Sequence, residues 1–314
     1  DSRINVRGFD SQNTAVLING IPVNDMENGR VYWSNWSGLT DVVSAMQVQR
    51  GLGASKLAIS SVGGTINVLT KSTELTKGGK IAATVGNDGY MKTVMSYNTG
   101  EMEGGSALSF LFSRVEGDGY VNGTSFEGYN YFLGYGWESD DDKHNVQVIV
   151  TGAPQTHNQR TSSFYNMADA GDYEQYGIRY NYNHGYLNGQ EFNWRRNFYH
   201  KPIASINWEY EINSSTNLSA SAYYSVGRGG GTGDIGRLGG NYASSSRFRS
   251  AITGEVEWDQ IVRSNSGQGG NWSGGYSYNN VVDAATGLYI VNDQDETVDG
   301  VKRNGFVRRA SESR

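Results

Sequence analysis

The sequence contains no cysteine, and only 3 of its 314 residues are proline. Without cysteine there is no disulfide framework, no thiol nucleophile and no cysteine-ligated metal. Neither sign of charge dominates: 26 Lys and Arg against 32 Asp and Glu leave a net charge of -6. That balance gives no footprint for a nucleic-acid partner. No apolar stretch approaches the ~18 residues of a membrane-spanning helix; Leu108-Ser109-Phe110-Leu111-Phe112 is among the longest. The chain opens Asp1-Ser2-Arg3-Ile4, with neither initiator Met nor signal sequence, so residue 1 is expected to lie inside a longer protein. What is abundant is glycine, 43 residues, and tyrosine, 21 residues. Glycine stands at about twice its ordinary share, which favours a β-rich protein with many turns.

Composition changes near residue 75. Before it, Val, Ile and Leu occur in short runs at 15–18, 42–43, 48 and 66–69, as in a compact α+β or mostly-β domain. Asn19-Gly20 after Val16-Leu17-Ile18 signals a two-residue hairpin returning through Ile21-Pro22-Val23. Residues 71–79 are polar and end in glycine, as in a linker. From residue 80 the pattern alternates with period two. Leu108, Phe110 and Phe112 share one face, with Ser109, Leu111 and Ser113 on the other. Tyr129, Tyr131, Leu133, Tyr135 and Trp137 oppose Asn130, Phe132, Gly134 and Gly136. Similar alternation recurs through Val146–Val150, Ala204–Ile212 and Leu218–Val226. Segments of about ten residues suit tilted strands crossing a bilayer.

A soluble β-sandwich, apolar face inward, also alternates. A barrel in lipid reverses the faces and lines a wet lumen with polar groups. Two details favour the barrel: Asn, Ser, Gln, Gly and Glu on the polar face, and Tyr and Trp near strand ends, as in interfacial aromatic belts. The connections agree. With seven strands at 80–86, 91–97, 106–114, 129–137, 145–152, 202–212 and 216–226, short turns follow the second, fourth and sixth. Long segments follow the third, fifth and seventh, as when one rim faces the cell exterior. The short link at 87–90 is an exception.

Three motifs carry a family resemblance. Ile4-Asn5-Val6-Arg7-Gly8-Phe9, Val16-Leu17-Ile18-Asn19-Gly20-Ile21-Pro22-Val23, and Arg50-Gly51-Leu52-Gly53-Ala54 leading to Gly63-Gly64-Thr65-Ile66-Asn67-Val68-Leu69-Thr70-Lys71 occur in order. Together they resemble the plug-domain signature of TonB-dependent outer-membrane receptors. Tyr32-Trp33-Ser34-Asn35-Trp36 and Gln49–Ala54 look like Bacteroidota versions, and unlike those of the glycan-importing branch. Asn19 stands where the family usually has aspartate, and Leu52 where it has proline; both are tolerable in turns. The resemblance implies an α+β plug at 1–75 inside a transmembrane antiparallel barrel beginning at 76–314. The family barrel has about 22 strands. Seven strands, a partial plug and no TonB box imply an incomplete piece, because a seven-stranded arc would leave unpaired edges in lipid.

The resemblance also implies active import of a scarce small-molecule nutrient, powered by the TonB–ExbB–ExbD complex. Outer-membrane lipid and lipopolysaccharide would surround the barrel, and a surface lipoprotein or other outer-membrane subunits could join it. No cofactor and no catalysis are implied. Arg7-Gly8 and Arg50-Gly51 would lock the plug to carboxylates on the barrel wall, with Glu209 and Glu211 as candidates, since a buried arginine needs a partner. Tyr32, Trp33 and Trp36 would sit at the outward apex of the plug. Tyr176, Tyr180 and Trp194 lie in an aromatic, amide-rich exterior segment suited to stacking on a polar ligand or contacting a partner. Gly51-x-Gly53 and the glycines of 227–231 lack the Gly-Lys-Ser/Thr of a phosphate loop and are expected in turns and flexible loops. His144, His157, His184 and His200 show no metal-ligand spacing. The acids of 293–299 lack the central glycine and terminal glutamate of an EF-hand and suit a solvated loop. A structural or partner-binding role on the same fold remains open, as do a passive porin and a soluble adhesin.

Overall fold

The computed structural model describes residues 6, 8–36, 43–50, 62–70, 72–160, 168, 170–238, 241–242, 245–265, 269–278, 297–298, 301–302 and 306–313. A four-stranded mixed sheet comes first. Its strands are β1 (Thr14–Ile18), β2 (Ile21–Pro22), β3 (Ala45–Arg50) and β4 (Gly64–Leu69), in the order β2-β1-β4-β3. β1 is parallel to β4, and β3 is antiparallel to it. Every residue of β1 is buried, as a central strand covered on both faces should be. The hairpin forms where Asn-Gly requires it. Asn19 has φ 49° and Gly20 φ 80°, the positive-φ pair of a type I′ turn. Pro22 has no N–H to give and sits on the edge strand β2.

A wall of antiparallel strands follows. β5 (Gly78–Val85), β6 (Met91–Asn98), β7 (Ser106–Gly117), β8 (Phe126–Glu138) and β9 (His144–Gly152) pair each with the next. Beyond β9 come β10 (Gln155–Asn158), α1 (Ala170–Tyr176), β11 (His184–Leu187), β12 (Gln190–Asn193) and β13 (Arg196–His200). The wall resumes with β14 (Ile203–Asn213) on β9 and β15 (Thr216–Ser225) on β14. All seven alternating segments are therefore strands, neighbours in chain order.

The faces are those of a barrel. Leu108, Phe110, Phe112, Leu133, Tyr135, Ile206 and Leu218 are exposed, whereas Ser109, Ser113, Asn130, Gln147 and Ser205 on the opposite face are buried. A soluble sandwich would bury the first set. Aromatics gather at two levels of the outer face. Phe112 and Tyr129 lie 6.3 Å apart at one. At the other, His144 and Tyr210 stack at 4.3 Å beside Trp208. From Tyr129 to Trp137 the strand advances about 27 Å at ~3.4 Å per residue, the scale of a lipid-facing band about 25 Å tall.

At the end bearing the long connections, the strands do not stop at the membrane. β10 continues β9, pairing with the same neighbour β8 (Gln155↔Gly128), and β13 pairs with β10 as β14 pairs with β9. β16 (Arg228–Gly236) likewise continues β15 by pairing with β13. The breaks fall at one level, at 153–154, 201–202 and 226–227, and two of them hold Pro154 and Pro202. Proline interrupts a ladder because it lacks the donor. Residues 227 onward were expected to form a long exterior segment; instead β16 is a strand. Its glycines make room for inward side chains: a Cβ on Gly229 would lie 2.5 Å from Tyr199 Cδ1, and one on Gly231 2.7 Å from Asn197 Oδ1. The expectation of flexible-loop glycine is corrected here by close packing.

The remaining elements are β17 (Val256–Glu257), α2 (Trp258–Asn265), the hairpins β18 (Gly270–Asn271) with β19 (Ser277–Tyr278) and β20 (Thr297–Val298) with β21 (Val301–Lys302), and β22 (Phe306–Ser313). β22 pairs antiparallel with β16 from Gly236↔Phe306 to Gly229↔Ser313. It is an eighth wall strand where seven were expected. The exterior segments are folded: β12-β11-β17 form a small sheet, and Trp194, Leu238, Phe248, Val256, Trp258, Ile261 and Trp272 form a second core.

Candidate functional site

The plug sheet and the wall share one core. Val16, Ile18, Ile66, Val68 and Trp36 pack with Val94, Leu111, Phe132, Ile149 and Ile203, apolar side chains on the inner face of five adjacent wall strands. These few residues depart from the polar lumen rule because they face the plug. The chain leaving β4 is pinned to the same face. Thr70 and Ser72 are 1% exposed. Ser72 N donates to Gln147 Oε1 at 3.4 Å, Gln147 Nε2 donates to Thr73 Oγ1 at 3.3 Å, and Thr73 Oγ1 donates to Glu138 Oε1 at 3.3 Å. Glycines on β8 leave the space: a Cβ on Gly134 would collide with Ser72 Oγ, and one on Gly136 would lie 2.8 Å from Thr73 Cγ2. The segment expected as a linker is seated against the wall.

Asn24 orders the strap above the sheet. Its Oδ1 accepts from Val16 N at 2.8 Å, and its Nδ2 donates to Thr14 O and Gly29 O, each at 2.9 Å. Tyr32, at the end of this strap, is 36% exposed and receives a hydrogen bond from Asn28 Nδ2 at 3.0 Å. It approaches the inner face of the exterior wall, where Tyr199 and His157 lie 6.2 Å apart. Burial pushes the Tyr199 phenol up, with Tyr32 as a second cause. Burial lowers the His157 imidazole, so it favours the neutral ring. Neither Tyr199 nor His157 was singled out for the site. Their signal lay in period two, read outward beyond Pro202 and Pro154.

The other expected site residues separate by burial. Trp33 is half-buried against the shared core, and Trp36 is 7% exposed inside it. Trp194 belongs to the second core, 5.9 Å from Trp258. Tyr180 is also buried; its hydroxyl donates to Gly254 O at 2.9 Å, and burial pushes its pKa up to about 12. Tyr176 packs 4.9 Å from it. Trp36 thus spends its surface on packing in the shared core, and Tyr180 and Trp194 do so in the exterior segment, which must bury apolar area to fold. Tyr180 also accepts a hydrogen bond at 3.3 Å from Arg249, whose guanidinium lies 3.5 Å over the Tyr182 ring and donates to Tyr182 O at 2.6 Å and Gly254 O at 3.1 Å.

Gly8 has φ 84° in a turn closed by reciprocal Val6 and Phe9 hydrogen bonds of 3.0 Å. Arg7, Gly51 and the side chain of Arg50 lie outside the described residues, as do all the acids of 293–299. Glu209 and Glu211 share the inner-face parity of Ser205 and are exposed toward the short-turn rim. Among the described residues, no cluster of His, Asp and Glu is arranged to hold a metal. His184 shows why: Glu191 lies 3.0 Å from Nε2 and Glu255 3.3 Å from Nδ1. The carboxylates face opposite edges of the ring and cannot share one ion.

The family model for the TonB-dependent receptor plug domain matches residues 1–65. Over 78 residues the chain is 30% identical to a probable TonB-dependent siderophore receptor, PirA, of Acinetobacter baumannii, covering 22% of this chain and 10% of that protein. Among solved structures, the siderophore receptor PiuA from Acinetobacter baumannii shares the fold with a TM-score of 0.53 at 15% identity, over 74% of this chain and 31% of that one. The ferric citrate transporter FecA in its unliganded form gives 0.53 at 16% identity, over 73% and 33%. The chain spans a tenth of the length of the curated relative and about a third of each structure. Residues 1–65 thus carry a TonB-dependent receptor plug domain, and the plug with its arc of outward-apolar strands shares the fold of these receptors.

Proposed function

We propose that the protein is an energised importer that brings a scarce small-molecule nutrient across the outer membrane. The observation that carries this reading is the shared core between plug and wall, with the exit segment held by Ser72 and Thr73. A passive pore has no use for a packed plug. Ligand enters from the side of the long connections and meets Tyr32, backed by Trp33, opposite Tyr199 and His157. TonB–ExbB–ExbD, driven by the proton gradient, pulls on the plug and loosens that seat. Arg7 and Arg50 lock the plug to the wall between cycles. No bond of the ligand is made or broken. The test is growth of a deletion strain on iron chelates, cobalamin, peptides and glycans as limiting sources, with and without TonB. One nutrient should be lost in both backgrounds, and uptake persisting without TonB would overturn the proposal.

The folded exterior layer supports a second reading, in which the same fold holds a surface lipoprotein or another outer-membrane subunit. A stoichiometric partner in mild-detergent preparations, together with no nutrient phenotype, would favour it.

A further inference from the structure

The inner face of the exterior wall carries two cross-strand rows, one above the other. In the first, Gln155 on β10 pairs with Tyr199 on β13, and the row is closed by Gly128 on β8 and Gly229 on β16. In the second, His157 pairs with Asn197, and the row is closed by Phe126 and Gly231. Partners across an antiparallel pair project from one face, and so do residues two apart on a strand. The four central side chains therefore form a checkerboard, with two rings on one diagonal and two amides on the other. The rings of His157 and Tyr199 lie 6.2 Å apart, tilted by 31°.

Three properties of this patch limit what it can hold. It is uncharged: neither row contains Asp, Glu, Lys or Arg, and burial favours the neutral ring of His157. It has an unspent donor: Gln155 Nε2 is buried with no hydrogen-bond partner among the described residues, a costly state until a partner arrives. It also has an opposing ring. Burial, and then Tyr32 of the plug, push the Tyr199 phenol up, so the plug residue stands within electrostatic reach of the checkerboard. An anionic metal chelate would call for cations, and neither row has one. A polyol presents hydroxyl donors that carboxylates accept best, and neither row has a carboxylate. A flat heterocycle suits both rings and amides. Its face stacks on aromatic side chains, and its edge sets a donor beside an acceptor, which an Asn or Gln amide matches, as at N6 and N7 of adenine.

We propose that the site takes a ligand bearing an uncharged planar heterocycle of the purine type, stacked on Tyr199 and His157 beneath Tyr32 and read along its edge by Gln155 and Asn197. Gln155 is the specificity-determining donor. The inference rests on the import reading and deepens it by naming the part of the ligand that the wall recognises.

The test is isothermal titration of full-length protein in mild detergent with adenosine, adenine, ribose, methyl glucoside and ferric citrate. Adenosine and adenine should bind, and the other three should neither bind nor compete. Tyr199→Ala should weaken adenosine about tenfold, the scale of one lost base–aromatic stack. Tyr199→Phe keeps the ring and should keep most of the affinity. Gln155→Leu should also lose about tenfold, and Thr156→Val, on the opposite face of β10, should match the parent. Thermal midpoints, with Tyr199→Phe as the conservative variant, separate loss of the stack from loss of the fold. Failure of adenosine and adenine to bind overturns the proposal, as does binding that Tyr199→Ala and Gln155→Leu leave unchanged. Methyl glucoside or ferric citrate binding in their place overturns it too. Uptake through the protein that persists without TonB, with adenosine binding intact, would instead overturn the import reading beneath it.

Discussion

Asn19 and Thr70 exchange two hydrogen bonds across the plug: Thr70 N donates to Asn19 Oδ1 at 2.8 Å, and Asn19 Nδ2 donates to Thr70 Oγ1 at 2.9 Å. The turn residue thereby holds the end of β4 where the chain departs for the wall. Asn19→Ala removes both bonds and places Ala at φ 49°, a conformation that disfavours a Cβ. A local destabilisation of about 2 kcal/mol is expected. Hydrogen-exchange mass spectrometry should show faster exchange at 14–23 and 64–70, with the wall unchanged. Asn19→Asp keeps the acceptor for Thr70 N and should exchange nearly as slowly as the parent.

Gly134 and Gly136 are the socket for Ser72 and Thr73. Gly134→Val should unseat the exit segment, since strand backbone cannot yield as a flexible side chain does. Limited proteolysis should cut near residues 72–77 in the variant and spare the parent. Leu133→Val, on the lipid face of the same strand, should leave the pattern intact.

Tyr32 and Trp36 should fail in different ways. Tyr32→Ala should weaken ligand uptake about tenfold, the scale of one lost aromatic contact, with a normal melting profile. Trp36→Ala should cost about 3 kcal/mol of plug stability and reduce uptake through misfolding. Paired uptake and hydrogen-exchange measurements distinguish them, and equal behaviour would remove Tyr32 from the ligand surface.

Arg249 is buried on carbonyls and an aromatic face, with Glu and Asp absent from its described hydrogen bonds. Arg249→Met should destabilise the exterior layer by about 2 kcal/mol, read as faster exchange across 176–182 and 248–261. Lysine at this position should recover little, having no planar fork to reach two carbonyls.

His157 gives the exterior wall a pH dependence. Its folded pKa is lowered by burial, so the unfolded segment binds the proton more readily. Its contribution is intact above the ordinary imidazole value of about 6.5 and is lost as pH falls through that value toward the lower folded one. Exchange at 155–158 and 196–200 should accelerate between pH 7.5 and 5.5, and the acceleration should shrink in His157→Gln.

The wall was legible in the sequence because lipid imposes period two on one face and water on the other. Leu108–Phe112 and Tyr129–Trp137 therefore became strands with the expected outward faces. β22 was hidden because Arg308, Arg309 and Glu312 break the apolar alternation of its sequence, and only its pairing with β16 reveals it. β16 was hidden by glycines that fit around Tyr199 and Asn197. The second core joins Trp194, Leu238, Phe248 and Trp272, brought together by short elements without a shared period. Aromatics there look the same in sequence whether they face a ligand or one another. Burial is what separates Tyr32 from Trp36, Tyr180 and Trp194.

The aligned breaks at 153–154, 201–202 and 226–227 divide three neighbouring strands at one height, while β7 and β8 run past that height unbroken. They act as an expansion joint. Ladder bonds above it can open and reclose as their own cooperative unit, without drawing on those that face lipid. Rearrangement of the exterior layer then costs only the bonds above the joint, and the part of the wall that must stay sealed keeps its full protection.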